Sequence, residues 1–353
     1  MKRISVLFIL CLSFVFSLHA QQSDPSLLTL ERIMSSREFA GQFFGPARWL
    51  EDGSGYTTLE ASPTLKSARD IVRYNPESGK REILIAAERF IPEGATEPLN
   101  IENYEWSDDG KQLLIFTNSE RVWRANTRGD YWALDLRSWK LSKLGGDAPP
   151  STLMFAKVSP DGKNVCYVRQ NNVYVEDLTT HRITQLTNDG STTIINGTSD
   201  WVYEEEFFLR DCTRWSPDSK RIAFWQFDAS GVRDYYLIND TDSLYSRVIP
   251  IQYPKVGTTN SSCKVGVVSA TGGPITWFNV PGDPRNNYIA RMEWAANSQE
   301  VILQHLNRLQ NKLDLMVGDA QTGNARTILV DEDKTWVEVV DDLKWLDGGK
   351  QFT

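Results

Sequence analysis

The sequence predicts an all-β fold, a β-propeller of which about six four-stranded blades are present, carrying one short helix. Three observations predict it. One motif recurs six times, each copy holds a turn-forming segment, and β-prone runs follow while long helical periodicity is nearly absent. The copies read Trp49-Leu-Glu-Asp-Gly53, Trp106-Ser-Asp-Asp-Gly110, Val158-Ser-Pro-Asp-Gly162, Trp215-Ser-Pro-Asp-Ser219, Trp294-Ala-Ala-Asn-Ser298 and Trp345-Leu-Asp-Gly-Gly349. Their starts lie 57, 52, 57, 79 and 51 residues apart, the scale of one propeller blade. Pro presets φ in the turn, and Asp with Gly or Asn completes it.

The elements follow in order. Lys2 and Arg3, an apolar run Ile4–Phe16, and then Ser17-Leu18-His19-Ala20 leading to a cut after Ala20 predict a cleaved signal peptide over 1–20, hence a secreted or periplasmic protein. An uncleaved anchor is the alternative, but the run is short for a span of about 20 residues. Cys11 lies in that run without the small residues a lipoprotein site needs. A lead-in segment over 21–45 holds one candidate helix, Leu27–Met34. The propeller occupies 46–353. Strands are expected at Gln112–Thr117, Tyr131–Leu136, Asn164–Val168, Asn172–Leu178, Arg221–Phe227 and Glu300–Leu303. The long fourth interval reads as a blade with an extra loop between Asp228 and Tyr253. The last repeat stops just inside its first strand at Thr353, so the natural polypeptide is expected to continue or the chain to be a gene fragment.

Composition excludes several classes. The formal charge is −8, and removing Lys2 and Arg3 takes it to −10. Nucleic-acid binding needs clustered Lys and Arg, and no such cluster is present. No metal motif, phosphate loop or dinucleotide fingerprint occurs, so no cofactor and no metal are expected. After cleavage Cys166, Cys212 and Cys263 remain; three cysteines allow at most one disulfide, and their spacing fits no zinc site.

One stretch stands apart: Asn196-Gly-Thr-Ser-Asp-Trp-Val-Tyr-Glu-Glu-Glu-Phe-Phe208. Asp200 is a good N-cap for a helix from Trp201. Glu204, Glu205 and Glu206 follow, like charges whose adjacency stabilises nothing unless a cation sits nearby. Two neighbouring carboxylates on one ammonium make charge-assisted hydrogen bonds, each contributing about 1.5–3 kcal/mol. The alternative is a solvated acidic face, with Glu206 and Arg210 at i,i+4 spacing as a helix-surface pair.

DWVYEEEF resembles the substrate-recognition helix of the dipeptidyl peptidase IV family of serine peptidases. TRWSPDSKRIAFWQFDAS (213–230), YPKVGTTN (253–260), YIARMEW (288–294) and LNRLQNKLDL (306–315) are similar to further family segments, although Ser261 stands where the family usually has Pro. The resemblance implies an eight-bladed propeller joined to an α/β-hydrolase domain with a Ser-Asp-His triad. It implies that Glu205 and Glu206 bind the peptide's free α-amine, with Glu204 a supporting acid. It also implies that Arg124, in Val122-Trp-Arg-Ala-Asn126, holds a substrate carbonyl; the family often has His-Ser where this chain has Ala125-Asn126, and a surface role at a hairpin end is the alternative. Substrates would be peptides with a free N-terminus, cut after a second residue Pro or Ala, and the full-length protein would be a homodimer.

No G-x-S-x-G nucleophile elbow occurs in these 353 residues. His181 and His305 have no serine motif to serve. The chain therefore reads as the recognition part of a peptidase and holds no catalytic residue of its own. The alternative is a stand-alone propeller acting as a protein-binding module.

Overall fold

The computed structural model describes residues 26–353 except 37, 42 and 43. The expected signal peptide and Cys11 lie outside the described residues. The described residues divide into two units, one up to Gly45 and one from Pro46 onward. In the first, the expected helix Leu27–Met34 is reduced to a single π-helical turn, Glu31–Ser35, with no buried residue. Leu27, Leu28, Leu30, Ile33 and Met34 are all exposed. A helix this short has too few hydrogen bonds to persist without a packed face.

The second unit is a run of antiparallel sheets in chain order. Blade 1 consists of strands Arg48–Trp49, Tyr56–Ala61, Arg69–Tyr74 and Arg81–Ile85. Blade 2 runs from Asn103–Trp106 through Gln112–Val122 and Ala125–Asp135 to Lys140–Lys143. Blade 3 comprises Leu153–Val158, Asn164–Arg169, Asn172–Asp177 and Ile183–Gln185. Blades 2 and 3 also join edge to edge where Arg128 and Gly129 pair with Met154 and Leu153. Blade 4 is built on Arg221–Asp228 and Ser262–Ser269, and blade 5 on the four strands from Asn287–Trp294 to Ala325–Glu332. A two-stranded start of a sixth, Trp345–Leu346 with Gln351–Phe352, ends the chain.

Three of the six repeat turns are held by the serine at their second position, whose role the repeat pattern alone did not single out. Ser159 Oγ accepts the Asn164 amide at 3.0 Å and donates to Asp161 Oδ1 at 2.7 Å. Ser216 and Ser107 make the same pair of bonds in their own turns. In these three turns the fifth position takes positive φ: 71° at Gly162, 65° at Gly110 and 61° at Ser219. Glycine reaches that region without a Cβ clash, whereas Ser219 is held there by accepting the Asp161 amide of the preceding blade.

The core lies between blades, and the strand pattern explains why. Along Arg221–Asp228, Ile222 and Phe224 pack with blade 3, while Ala223, Trp225 and Phe227 pack with blade 5. Side chains alternate across a strand, so burial on both faces requires the near-continuous apolar run RIAFWQF. Cys166, Cys212 and Cys263 are buried free thiols within these clusters.

The extra loop after blade 4's second strand is itself a hairpin, Asp234–Asn239 paired with Arg247–Gln252. Tyr235, Tyr236, Leu237, Ile238, Val248 and Ile249 are exposed on it.

Candidate functional site

The helix carrying the three glutamates interrupts blade 4's first strand. Ile194–Asn196 and Thr213–Trp215 both pair with the same edge of Arg221–Asp228, one after the other. Between them the chain leaves the sheet, and the Thr198–Asp211 bridge closes the base of the excursion. Helix Trp201–Phe207 occupies its far side. Asp200 caps it, accepting the Tyr203 amide at 3.0 Å. Burial raises the Asp200 carboxyl above its ordinary range, opposed by the Ser261 hydroxyl and the Tyr203 amide.

Seven residues do not make a stable helix alone; packing fixes this one. Tyr203 and Phe207 lie in the core shared by blades 4 and 5. The Tyr203 hydroxyl accepts the Ile289 amide at 3.0 Å. A bulge between Ile289 and Arg291 breaks the ladder there and leaves that amide for the tyrosine. The Ile289 carbonyl in turn accepts the Trp225 indole N–H at 2.8 Å. Trp201 rests on Tyr253 with ring centroids 4.2 Å apart. Arg291 donates to the Phe207 carbonyl at 2.8 Å, closing the helix's C-terminal end.

The three acids have three different environments. Glu204 points inward, 4% exposed, and is paired with Arg210 Nε at 3.0 Å. Glu205 is 14% exposed and accepts Arg124 Nε. Glu206 is exposed and has no hydrogen-bond or ion-pair partner among the described residues. The Glu206–Arg210 pair of the alternative reading, a solvated acidic face, does not form; Arg210 pairs with Glu204. The helix stops at Phe207, Phe208 takes a left-handed φ of 52°, and the reversal carries Arg210 back to Glu204.

Arg124 arrives from blade 2. Its two middle strands, Gln112–Val122 and Ala125–Asp135, are 11 residues each and outrun the rest of the blade. Arg124 sits at the tip after Trp123, whose φ is 48°. Glu205 and Arg124 are 81 positions apart in sequence, and the long hairpin brings them together. His181 lies in a turn beside blade 3's Glu176, and His305 in a blade 5 strand beside Asp314; neither is joined to the glutamates.

Comparisons with known proteins identify the family. The family described as "Dipeptidyl peptidase IV (DPP IV) N-terminal region" matches residues 107–353. The chain belongs to the dipeptidyl peptidase IV family. Dipeptidyl aminopeptidase B of Saccharomyces cerevisiae is 30% identical over 287 residues, 78% of this chain and 34% of that protein. A probable dipeptidyl-aminopeptidase B of Aspergillus terreus is 28% identical across 90% of this chain and 37% of its own length. The crystal structure of Porphyromonas gingivalis dipeptidyl peptidase 4 superposes with a TM-score of 0.80 at 31% identity, covering 91% of this chain and 45% of that one. A dipeptidyl peptidase IV family chain of this kind thus spans about a third of the length of the curated relatives it matches, and its fold is the family's N-terminal propeller.

Proposed function

We propose that this chain is the substrate-recognition region of a secreted or periplasmic serine dipeptidyl peptidase that releases X-Pro or X-Ala dipeptides from peptide N-termini. Glu205 and Glu206 hold the substrate's α-ammonium, and Arg124 holds a backbone carbonyl. The nucleophile and its partners belong to sequence beyond these 353 residues, as the greater length of the relatives suggests.

The observation that carries this reading is the meeting of Arg124 and Glu205 beside an unpartnered Glu206. Arg124 takes up one of the two carboxylates, so one formal negative charge is left for one ammonium. An arginine on the same site offers N–H donors to the carbonyl that follows the amine. Fixing both ends of the first residue sets how far the peptide reaches, so the second peptide bond is delivered to the nucleophile. Such positioning lowers the barrier through orientation.

The test uses the full-length peptidase. Glu205→Gln and Glu206→Gln should each lower kcat/KM for X-Pro substrates about a hundredfold, equivalent to about 2.7 kcal/mol. An N-acetylated substrate should be refused by the unmodified enzyme. Unchanged rates in both variants would remove the proposal.

A further inference from the structure

We propose that Arg210 is a positioning residue that sets the charge selectivity of this site, by neutralising Glu204 and leaving the helix a single uncompensated carboxylate. The inference rests on the reading of Glu205 and Glu206 above and adds to it a preference for substrate ends bearing one positive charge.

Three consecutive glutamates would give the helix a formal charge of −3, yet the ion pairs remove most of it. Glu204 is buried against Arg210. Glu205 is bound by Arg124. Arg291, which donates to the Phe207 carbonyl at the end of the helix, is compensated by Asp341. Glu206 is the one acid of the three without a partner among the described residues.

The Glu204–Arg210 pair exists because the chain reverses. Phe208 adopts the left-handed conformation, and the Leu209 amide bonds back to the Tyr203 carbonyl at 3.1 Å. A bulky residue in that region is uncommon, and the pair is one of the contacts that hold it there. A buried carboxylate stripped of its counter-ion is strongly unfavourable. Its uncompensated field would also act on whatever binds one residue away, because a partly buried charge is poorly screened. Arg210 touches no substrate in this scheme; it acts through Glu204.

The experiment compares two substrates of nearly equal shape in the full-length peptidase: Lys-Pro and norleucine-Pro peptides, whose N-terminal ends carry two charges and one. The readout is the ratio of their kcat/KM values. Arg210→Met adds a net negative charge and should raise the Lys:norleucine ratio about three- to tenfold, a charge–charge effect over several ångströms at intermediate dielectric. Glu204→Gln leaves Arg210 unpaired and should lower the ratio by a similar factor. The double variant should return it to the wild-type value. A purely structural role would move both single variants the same way and raise KM for both substrates alike, which would overturn the inference. Glu204→Gln keeps the side chain's shape, so it reads the sign even if Arg210→Met fails to fold. Normal rates in Glu205→Gln and Glu206→Gln would instead overturn the site reading itself, so the two failures are separable.

Discussion

Tyr203 and His305 are both buried polar residues, and they respond to burial in different ways. The Tyr203 ring is in the core while its hydroxyl serves the amide freed by the blade 5 bulge. Burial pushes its phenol well above the usual range, so it stays a neutral acceptor. Tyr203→Phe should therefore destabilise the protein by about 1–3 kcal/mol, the cost of a buried amide left unpaired; a urea midpoint unchanged from wild type would refute this. His305 has no hydrogen bond at either ring nitrogen among the described residues, and Asp314 stands 3.6 Å away. Burial lowers its pKa below 6.5 despite that carboxylate. As pH falls through about 6.5 the unfolded chain takes up a proton that the folded chain resists. The unfolded state then binds more protons, so the contribution is intact above that pH and is lost below it. His305→Gln should flatten the fall in stability between about pH 7.5 and 5.5, measured by urea unfolding; an equal slope would show that His305 titrates freely. Neither role was legible in the sequence, which gives a residue's identity but not which backbone group a distant bulge will orphan. Asp200 was legible, because an N-cap bonds only two or three residues ahead.

At the level of elements, what the sequence revealed was what local chemistry decides. The repeat turns, the strands after them and the capped helix all stand where the pattern put them. Three features escaped because tertiary contacts decide them. The strand expected at Gln112–Thr117 runs on to Val122; the extra residues Asn118, Ser119, Glu120 and Arg121 are polar and carry no strand signal, yet they set the reach of Arg124. The left-handed turn at Phe208 has no glycine to announce it. The insertion after Asp228 read as a loop but pairs as a hairpin, with apolar residues exposed on both faces: Tyr236 and Ile238 on one, Tyr235 and Leu237 on the other, by strand alternation. Exposed apolar surface of this kind can serve as an interaction site, and we propose it as the place where two copies of the full-length protein would meet. A Tyr236→Asp, Ile238→Asp double variant should shift the full-length protein from dimer to monomer in analytical ultracentrifugation while leaving the propeller folded. A dimer that survives both substitutions would place the interface elsewhere.

Across the molecule, stability is a property of neighbouring pairs of blades. Four apolar clusters sit between blades 1 and 2, 2 and 3, 3 and 4, and 4 and 5. Polar ties cross the same boundaries. The Trp215 indole donates to the Lys157 carbonyl and the Trp294 indole to the Arg214 carbonyl, each at 3.1 Å. Lys157 pairs with Asp211, and Arg214 with Glu293. The repeated aromatic is thus a strut to the preceding blade as well as a core residue. Nearest-neighbour coupling of this kind spreads damage to adjacent units before remote ones. Trp225 is the sharpest place to test it: fully buried in blade 4, it packs against blade 5 and bonds the Ile289 carbonyl. Trp225→Phe removes that bond and leaves a small void, together costing about 2–4 kcal/mol. Hydrogen exchange should then show Arg221–Asp228 and Asn287–Trp294 losing protection together, along with helix Trp201–Phe207, which both blades anchor. Strands Tyr56–Ala61 and Arg69–Tyr74 of blade 1 should keep theirs, since no shared cluster links them to the substitution. Loss confined to blade 4 would mean that blades open singly, and the helix would then owe its position to blade 4 alone.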